Sequence, residues 1–227
     1  MKILTQKNVQ PPQFPKHMPS GLLAALEDDG EYSTLALSGC NLANSKASYL
    51  LFEQILFRRV TLGPSQHTKP RFVDCQLEAS DLSGIDWEKA RFRRVEFLGC
   101  RLMGAQLLDA EFEDVTFKDC NLESAVFSSA KFSAACFENC LLPDVSFEST
   151  DLCGVVFDNC DLAQADLRQA RLNGTDFRSS RLGGIQVGAQ ELKGAIVDST
   201  QAVQIASLIG LVVREIGEEL NLKSKPA

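Results

Sequence analysis

Histidine is almost absent from this chain of 227 residues, which holds only His17 and His67. Neither has a Cys or His partner at metal-ligand spacing, so no metal or other cofactor has a candidate ligand set. No Ser/His/Asp constellation, phosphate-cradling loop or pair of converging carboxylates can be defended, and the chain reads as noncatalytic. It also lacks an apolar run of the ~20 residues that a membrane-spanning helix needs. Base is in deficit, with 23 Lys and Arg against 30 Asp and Glu and a formal charge of −7. Direct binding to nucleic acid calls for the opposite, clustered Lys and Arg against phosphate. With no signal peptide, the eight cysteines read as thiols of a cytoplasmic protein rather than as a disulfide framework.

What the chain has instead is a period. From Phe92 through Phe97, Leu102, Leu107 and Phe112 to Leu162, Leu167, Leu172 and Phe177, a Leu or Phe falls on every fifth residue. Five helical steps of ~100° leave such residues smeared around a cylinder, and plain strand alternation would send them to opposite faces. The chain must therefore spend one residue per pentad turning a corner. The residue two before each Leu or Phe then points the same way, and it is small almost throughout: Ala90, Val95, Cys100, Ala105, Ala110, Val115, Cys120. A second period of twenty is superposed, in Cys100, Cys120, Cys140 and Cys160 and in Phe97, Phe117, Phe137, Phe157 and Phe177. Four pentads close one turn, which predicts a four-sided parallel β-solenoid of coils ~4.8 Å apart. Gly99, Asp119, Asn139 and Asn159 suit its corners. The cysteines on the inward count read as small core residues, while Cys136 and Cys153 lie off that count and are expected to be exposed thiols.

The pattern of small residue, Asp or Asn, Leu or Phe and two variable residues, as in Ser80-Asp81-Leu82-Ser83-Gly84 and Ala165-Asp166-Leu167-Arg168-Gln169, resembles the pentapeptide-repeat family. The resemblance implies an all-β fold, a right-handed quadrilateral β-helix. Some eight coils of four pentads would span residues 31–198, followed by a short C-terminal helix.

At the N-terminus, residues 1–30 divide into a Pro-rich tail (Pro11, Pro12, Pro15, Pro19) and a possible capping helix from Ser20 to Glu27 that would cover the open end of the solenoid. The register starts near Leu37, and it breaks at Gly63, Pro64, Ser65, Gln66, His67, Thr68, Lys69 and Pro70. Two prolines and the lack of an inward apolar residue argue against regular ladder there. Because Phe72 resumes on the same count, the segment is either one irregular side of a coil or a loop thrown outward, where binding residues often sit. Residues 199–227 form the C-terminal unit. Asp198 or Ser199 would cap a helix bearing Ala202, Ile205, Ala206 and Ile209, Gly210 would end it, and Leu211-Val212-Val213 would be a last strand. With Leu208 and Ile216 this end is more apolar than a cap requires, so Ile205, Leu208, Ile209, Leu211, Val212 and Val213 are a candidate homodimer contact. The segment from Glu218 onward reads as a polar tail.

Charge is distributed unevenly. Between Leu102 and Leu167 there are thirteen acids, Asp109, Glu111, Glu113, Asp114, Asp119, Glu123, Glu138, Asp144, Glu148, Asp151, Asp158, Asp161 and Asp166, against Lys118 and Lys131, a net of −11. With −7 overall, the remainder of the chain is net positive. Such a run either solvates the outward positions of the rod or presents repeated negative charge to a protein partner. Arg91, Arg93 and Arg94 lie one coil before Glu111, Glu113 and Asp114, which predicts cross-coil pairing. The C-terminal run from Leu192 to Val213 is similar to the helix-capped ending of the Qnr-type and MfpA-type pentapeptide proteins. That resemblance implies a DNA-mimicking dimer that binds type II topoisomerases, DNA gyrase or topoisomerase IV, and shields them from quinolones, with the Gly63–Pro70 segment as the matching candidate loop. A general protein-interaction scaffold is the alternative, and a drug- or metabolite-binding immunity protein a third.

Overall fold

The computed structural model describes residues 9–214. Its strands are β1 (Ser20–Gly21), β2 (Glu31–Ser38), β3 (Lys46–Ser48), β4 (Leu51–Arg58), β5 (Gln66–Thr68), β6 (Arg71–Glu78), β7 (Arg91–Leu98), β8 (Glu111–Lys118), β9 (Lys131–Glu138) and β10 (Val156–Asp158), followed by one helix, α1 (Ser199–Leu208). All pairing is parallel: β1-β2-β4-β6-β7-β8-β9-β10 form one sheet and β3-β5 another. From β2 onward each residue faces the one twenty places on, as in Phe72↔Phe92, Phe92↔Phe112 and Phe112↔Phe132.

Four columns of such partners run the length of the molecule and define its four sides. The first passes through Arg71, Arg91, Glu111, Lys131 and Asp151, and the second through Gln76, Glu96, Thr116, Cys136 and Val156. The third passes through Asp81, Arg101, Asn121, Leu141 and Asp161, and the fourth through Asp86, Gln106, Val126, Ser146 and Asp166. The result is an all-β solenoid of about 7 turns, slightly fewer than eight because pairing thins out beyond Val187.

The core is the predicted one. Every Leu and Phe of the five-residue series from Phe92 to Phe177 is buried, as are the small residues two places before them. Because strand spacing and preferred ring stacking distance nearly coincide, like rings pile up: Phe97, Phe117, Phe137, Phe157 and Phe177 stack at centroid distances of 4.6, 4.7, 4.9 and 5.2 Å. The corner residues Asp119, Asn139 and Asn159 sit at φ of 54°, 52° and 52°, a left-handed conformation that Asx side chains tolerate better than most. The inward Cys, Thr and Ser positions also serve the backbone. Cys120 Sγ–H donates to Phe97 O (3.3 Å), Thr150 Oγ1–H to Phe127 O (2.7 Å) and Ser180 Oγ–H to Phe157 O (2.9 Å). Among the described residues no buried side-chain nitrogen or oxygen lacks a partner.

Four expectations are corrected. Ser20–Glu27 forms no helix. Ser20 and Gly21 pair with Ala36 and Leu37 as β1, because an open strand edge offers hydrogen bonds at once whereas so short a helix would have to nucleate alone. Residues 9–19 are not a loose tail either. Gln10 N–H donates to Asp114 Oδ1 (3.1 Å), Gln13 N–H to Asp74 Oδ1 (2.9 Å), and Pro19 O accepts from Ala36 N–H (2.8 Å). Extended by its prolines, this arm covers three residues, ~10 Å, between carboxylates two coils apart, also ~10 Å.

Of the two alternatives for Gly63–Pro70, the structure shows a side of a coil and not the protruding loop, and the segment is ladder despite its prolines. Gln66–Thr68 is β5, paired with β3, and His67, only 2% exposed, occupies the inward position that Leu or Phe fills elsewhere. Gly63 fits there because a Cβ would lie 2.1 Å from Ser83 O. Finally, Leu211–Val213 is not a strand. α1 has the expected Asp198 cap, with Gln201 completing a capping box, and ends at Gly210 (φ 86°), beyond which Leu211–Val213 pairs with no strand among the described residues. Ile216 and the tail from Glu218, like residues 1–8, lie outside the described residues.

Candidate interaction surface

The acids of the middle coils do not share one face. Glu111, Glu113 and Asp151 lie on the first side, with Asp114 at its edge. Glu138 and Asp158 lie on the second, with Asp119 at the corner that follows. Position within the twenty-residue coil places Glu123 and Asp144 on the third side and Asp109 and Glu148 on the fourth.

The predicted cross-coil pairing is present. Arg91 pairs with Glu111 (3.2 Å), Arg93 with Glu113 (3.9 Å), Lys118 with Glu138 (2.8 Å) and Arg171 with Asp151 (2.6 Å). Arg181 pairs with Asp161, and Arg168 with Asp166 (2.5 Å), which holds the Asp166 carboxyl below its usual range. These are exposed pairs of small stabilising value. Arg94 differs: it grips Asp74, not Asp114, through two bonds of 2.6 Å with both side chains largely covered. Burial would raise the Asp74 pKa, but the guanidinium and the Gln13 N–H together hold it below normal. Among the described residues Asp109, Asp114, Asp119, Glu123, Asp144, Glu148 and Asp158 make no ion pair.

The Gly63–Pro70 segment contributes a buried polar network that sequence reasoning missed. Trp87 Nε1–H donates to His67 Nδ1 (2.9 Å), so Nδ1 is bare and Nε2 carries the proton, which it donates to Ser45 Oγ (2.9 Å). Ser45 Oγ–H goes on to Leu42 O (2.7 Å). A Ser–His contact of this length invites a catalytic reading, but the tautomer forbids it, since the nitrogen facing the hydroxyl is a donor and cannot take its proton. The sign that could have revealed this was the count itself, because His67 stands five residues from both Leu62 and Phe72. Solvent-exposed loop residues are thus limited to Pro64, Gln66, Thr68 and Lys69.

At the C-terminal end the candidate dimer residues divide. Ile205 is buried against the last coil and is withdrawn from any contact, while Leu208, Ile209, Leu211, Val212 and Val213 are exposed. The short helix rotates Ile205 inward because its cap Asp198 and the buried Gln201, which donates to Phe177 O and Ser180 O (2.6 Å each), fix its face. Cys136, expected outside, is buried, its short side chain lying in the second column between Thr116 and Val156. Cys153 is half-buried and Cys75 is buried, with burial pushing the Cys75 thiol up to about 12. Among the described residues no group of three or more potential ligands is placed to hold a metal, and no helix is long and apolar enough to cross a membrane.

No curated protein sequence matches the chain. Among solved structures it is similar to HetL, a pentapeptide repeat protein involved in heterocyst differentiation regulation from the cyanobacterium Nostoc, at 18% identity over 76% of this chain and 91% of that one, with a TM-score of 0.37. It is similar to full-length QnrB1, a plasmid-mediated fluoroquinolone resistance protein, at 18% identity over 86% and 99% of the two chains (TM-score 0.32). A pentapeptide repeat protein of the Arabidopsis thaliana thylakoid lumen aligns at 20% identity over 63% and 83% (TM-score 0.24). Likenesses of this size assign no function. The model of the pentapeptide repeat region matches residues 70–142 and 121–196, more than half of the chain, and with the twenty-residue register it establishes that this protein belongs to the pentapeptide repeat family.

Proposed function

We propose that the protein is a noncatalytic rod that occupies the DNA site of a DNA-binding protein, and that its partner is a type II topoisomerase, DNA gyrase or topoisomerase IV, which it shields from quinolone-like inhibitors. One observation carries this reading. From Asp119 to Leu167 the second, third and fourth sides hold Asp119, Glu123, Glu138, Asp144, Glu148, Asp158, Asp161 and Asp166 and no base, the single cation of that stretch, Lys131, standing on the first side. On these sides Asp119, Glu123, Asp144, Glu148 and Asp158 carry no ion pair among the described residues, whereas Glu138, Asp161 and Asp166 are paired, so unneutralised negative charge recurs along the rod, the complement of a cleft built to neutralise phosphates. About 7 turns at ~4.8 Å give a rod of ~34 Å, close to one turn of duplex DNA. A homodimer through Leu208, Ile209, Leu211, Val212 and Val213 would double that length about a two-fold axis.

The scaffold reading draws on a different observation, the ion pairing of Glu111, Glu113, Glu138, Asp151, Asp161 and Asp166, which is what charges do when they only solvate a rod. Reversal of Asp119, Glu123, Asp144 and Asp158 to Lys separates the two, because none of these is paired. Purified protein is expected to restore supercoiling by quinolone-treated gyrase, and the reversed variant to lose this while keeping its circular dichroism and melting temperature. Rescue that survives reversal would refute the DNA substitute, and no effect of the unmodified protein on either topoisomerase would leave the scaffold.

A further inference from the structure

A furrow of about 500 Å³ follows the corner between the fourth and first sides. Coil by coil its walls carry Lys69 with Arg71, then Lys89 with Arg91, then Asp109 with Glu111, and last Lys131, while Tyr49 stands at its N-terminal end. Two successive coils of paired cations around one concavity run against the charge of a protein at −7. The local acids do not neutralise them firmly. Lys89 pairs with Glu88 and Arg91 with Glu111, but all four side chains are 45–66% exposed, and pairs of that kind exchange for another anion at little cost. Lys69 has a ring rather than a carboxylate beneath it, 5.4 Å from the Tyr49 centroid. Arg71 has no ion pair among the described residues.

The order of charges also sets a length. The cationic stretch is two adjacent rungs, one strand spacing of ~5 Å apart, and Asp109 with Glu111 repel any negative charge that continues past it. A long uniform polyanion is thereby excluded, and a short one fits. We propose that this furrow binds a compact phosphate chain about the length of a triphosphate, alone or in a phosphate ester, held by Lys69, Arg71, Lys89 and Arg91. An organic part attached to it would pack on Tyr49, as bases do on aromatic faces. Arg71 and Arg91 supply the forked donors suited to phosphate, and the lysines supply point charge.

Isothermal titration of the full-length protein with inorganic tripolyphosphate at low ionic strength tests this. One saturable site is expected, weakened at least tenfold in the Lys69→Gln/Arg71→Gln variant. The Arg58→Gln/Arg59→Gln variant, which removes equal charge from a separate hollow on another side, should stay within twofold of the unmodified protein. ATP is expected to bind more tightly than tripolyphosphate, the difference disappearing in Tyr49→Ala. No saturable binding, or equal weakening in both double variants, would overturn the site. Citrate binding as tightly would overturn its assignment to phosphate, and a twenty-nucleotide single strand binding more tightly than tripolyphosphate would overturn the length limit.

Discussion

Replacing His67 by Leu, the residue that stands at the matching position two coils on as Leu107, should change both stability and the way stability depends on pH. In the folded protein His67 is held neutral: burial lowers its pKa from 6.5 to about 4. Protonation would put a second N–H at Nδ1, facing the Trp87 Nε1–H that now donates to it. The unfolded chain binds this proton near pH 6.5 and the folded chain only near pH 4, so stability is fully present above ~6.5 and falls as pH drops between these values. The linkage relation gives a loss of ~2 kcal/mol between pH 7 and pH 5 and ~3 kcal/mol by pH 4. His67→Leu removes that slope but orphans the Trp87 N–H, at a cost of ~1–3 kcal/mol at pH 7. Urea midpoints measured at pH 7, 6 and 5 should therefore show the variant less stable at pH 7 and the gap closing by ~2 kcal/mol at pH 5, equivalent to ~4–8 °C in a melt. Other titrating groups are common to both proteins and cancel in the difference. Parallel pH curves would show that His67 takes up its proton without disturbing the network, and the reasoning would fail.

Phe117 stacks between Phe97 at 4.6 Å and Phe137 at 4.7 Å and is fully buried, so Phe117→Ala should cost ~3–5 kcal/mol in denaturant unfolding, whereas Leu at this position should cost under half of that. Asp74→Asn breaks a bidentate pair whose partner Arg94 is largely covered and also weakens the Gln13 anchor. We expect ~2–3 kcal/mol of destabilisation at pH 7 and faster proteolysis within residues 9–19. The Asp74 carboxyl is held below its usual range in the folded state, so its contribution is present at neutral pH and lost as pH falls through that depressed value, and the variant should approach the parent protein in acid.

The solenoid could be read from the sequence because its rule is local and repeated: one inward Leu or Phe and one inward small residue per pentad, with like on like at twenty. Reading failed where another residue type met the same rule. His67 satisfies the inward position with hydrogen bonds instead of apolar surface, so a hydrophobic count treated its pentad as a break. Cys136 sits at an outward position yet is buried, since exposure there depends on neighbours twenty residues away and not on the pentad. The arm was illegible because its anchors, Asp74 and Asp114, lie 61 and 104 residues from Gln13 and Gln10, separations no periodicity encodes. Acids were legible as a count, but their division among four sides and their pairing required the register. The furrow depends on two columns that are two residues apart in each coil and become a concavity only when the coils stack.

In a solenoid each coil touches only the one before and the one after, so opening proceeds inward from the ends, one rung at a time. The arm changes this at the N-terminal end. By joining Ala36, Gln54, Asp74 and Asp114 it anchors on four of five successive rungs and ties those of Asp74 and Asp114, which are not neighbours, as a splint spans several bones. The first five coils are then expected to open together or not at all, with amide exchange nearly uniform from Leu37 to Val115, while the coils beyond Asp151, which lack such a tie among the described residues, open progressively from the C-terminal side.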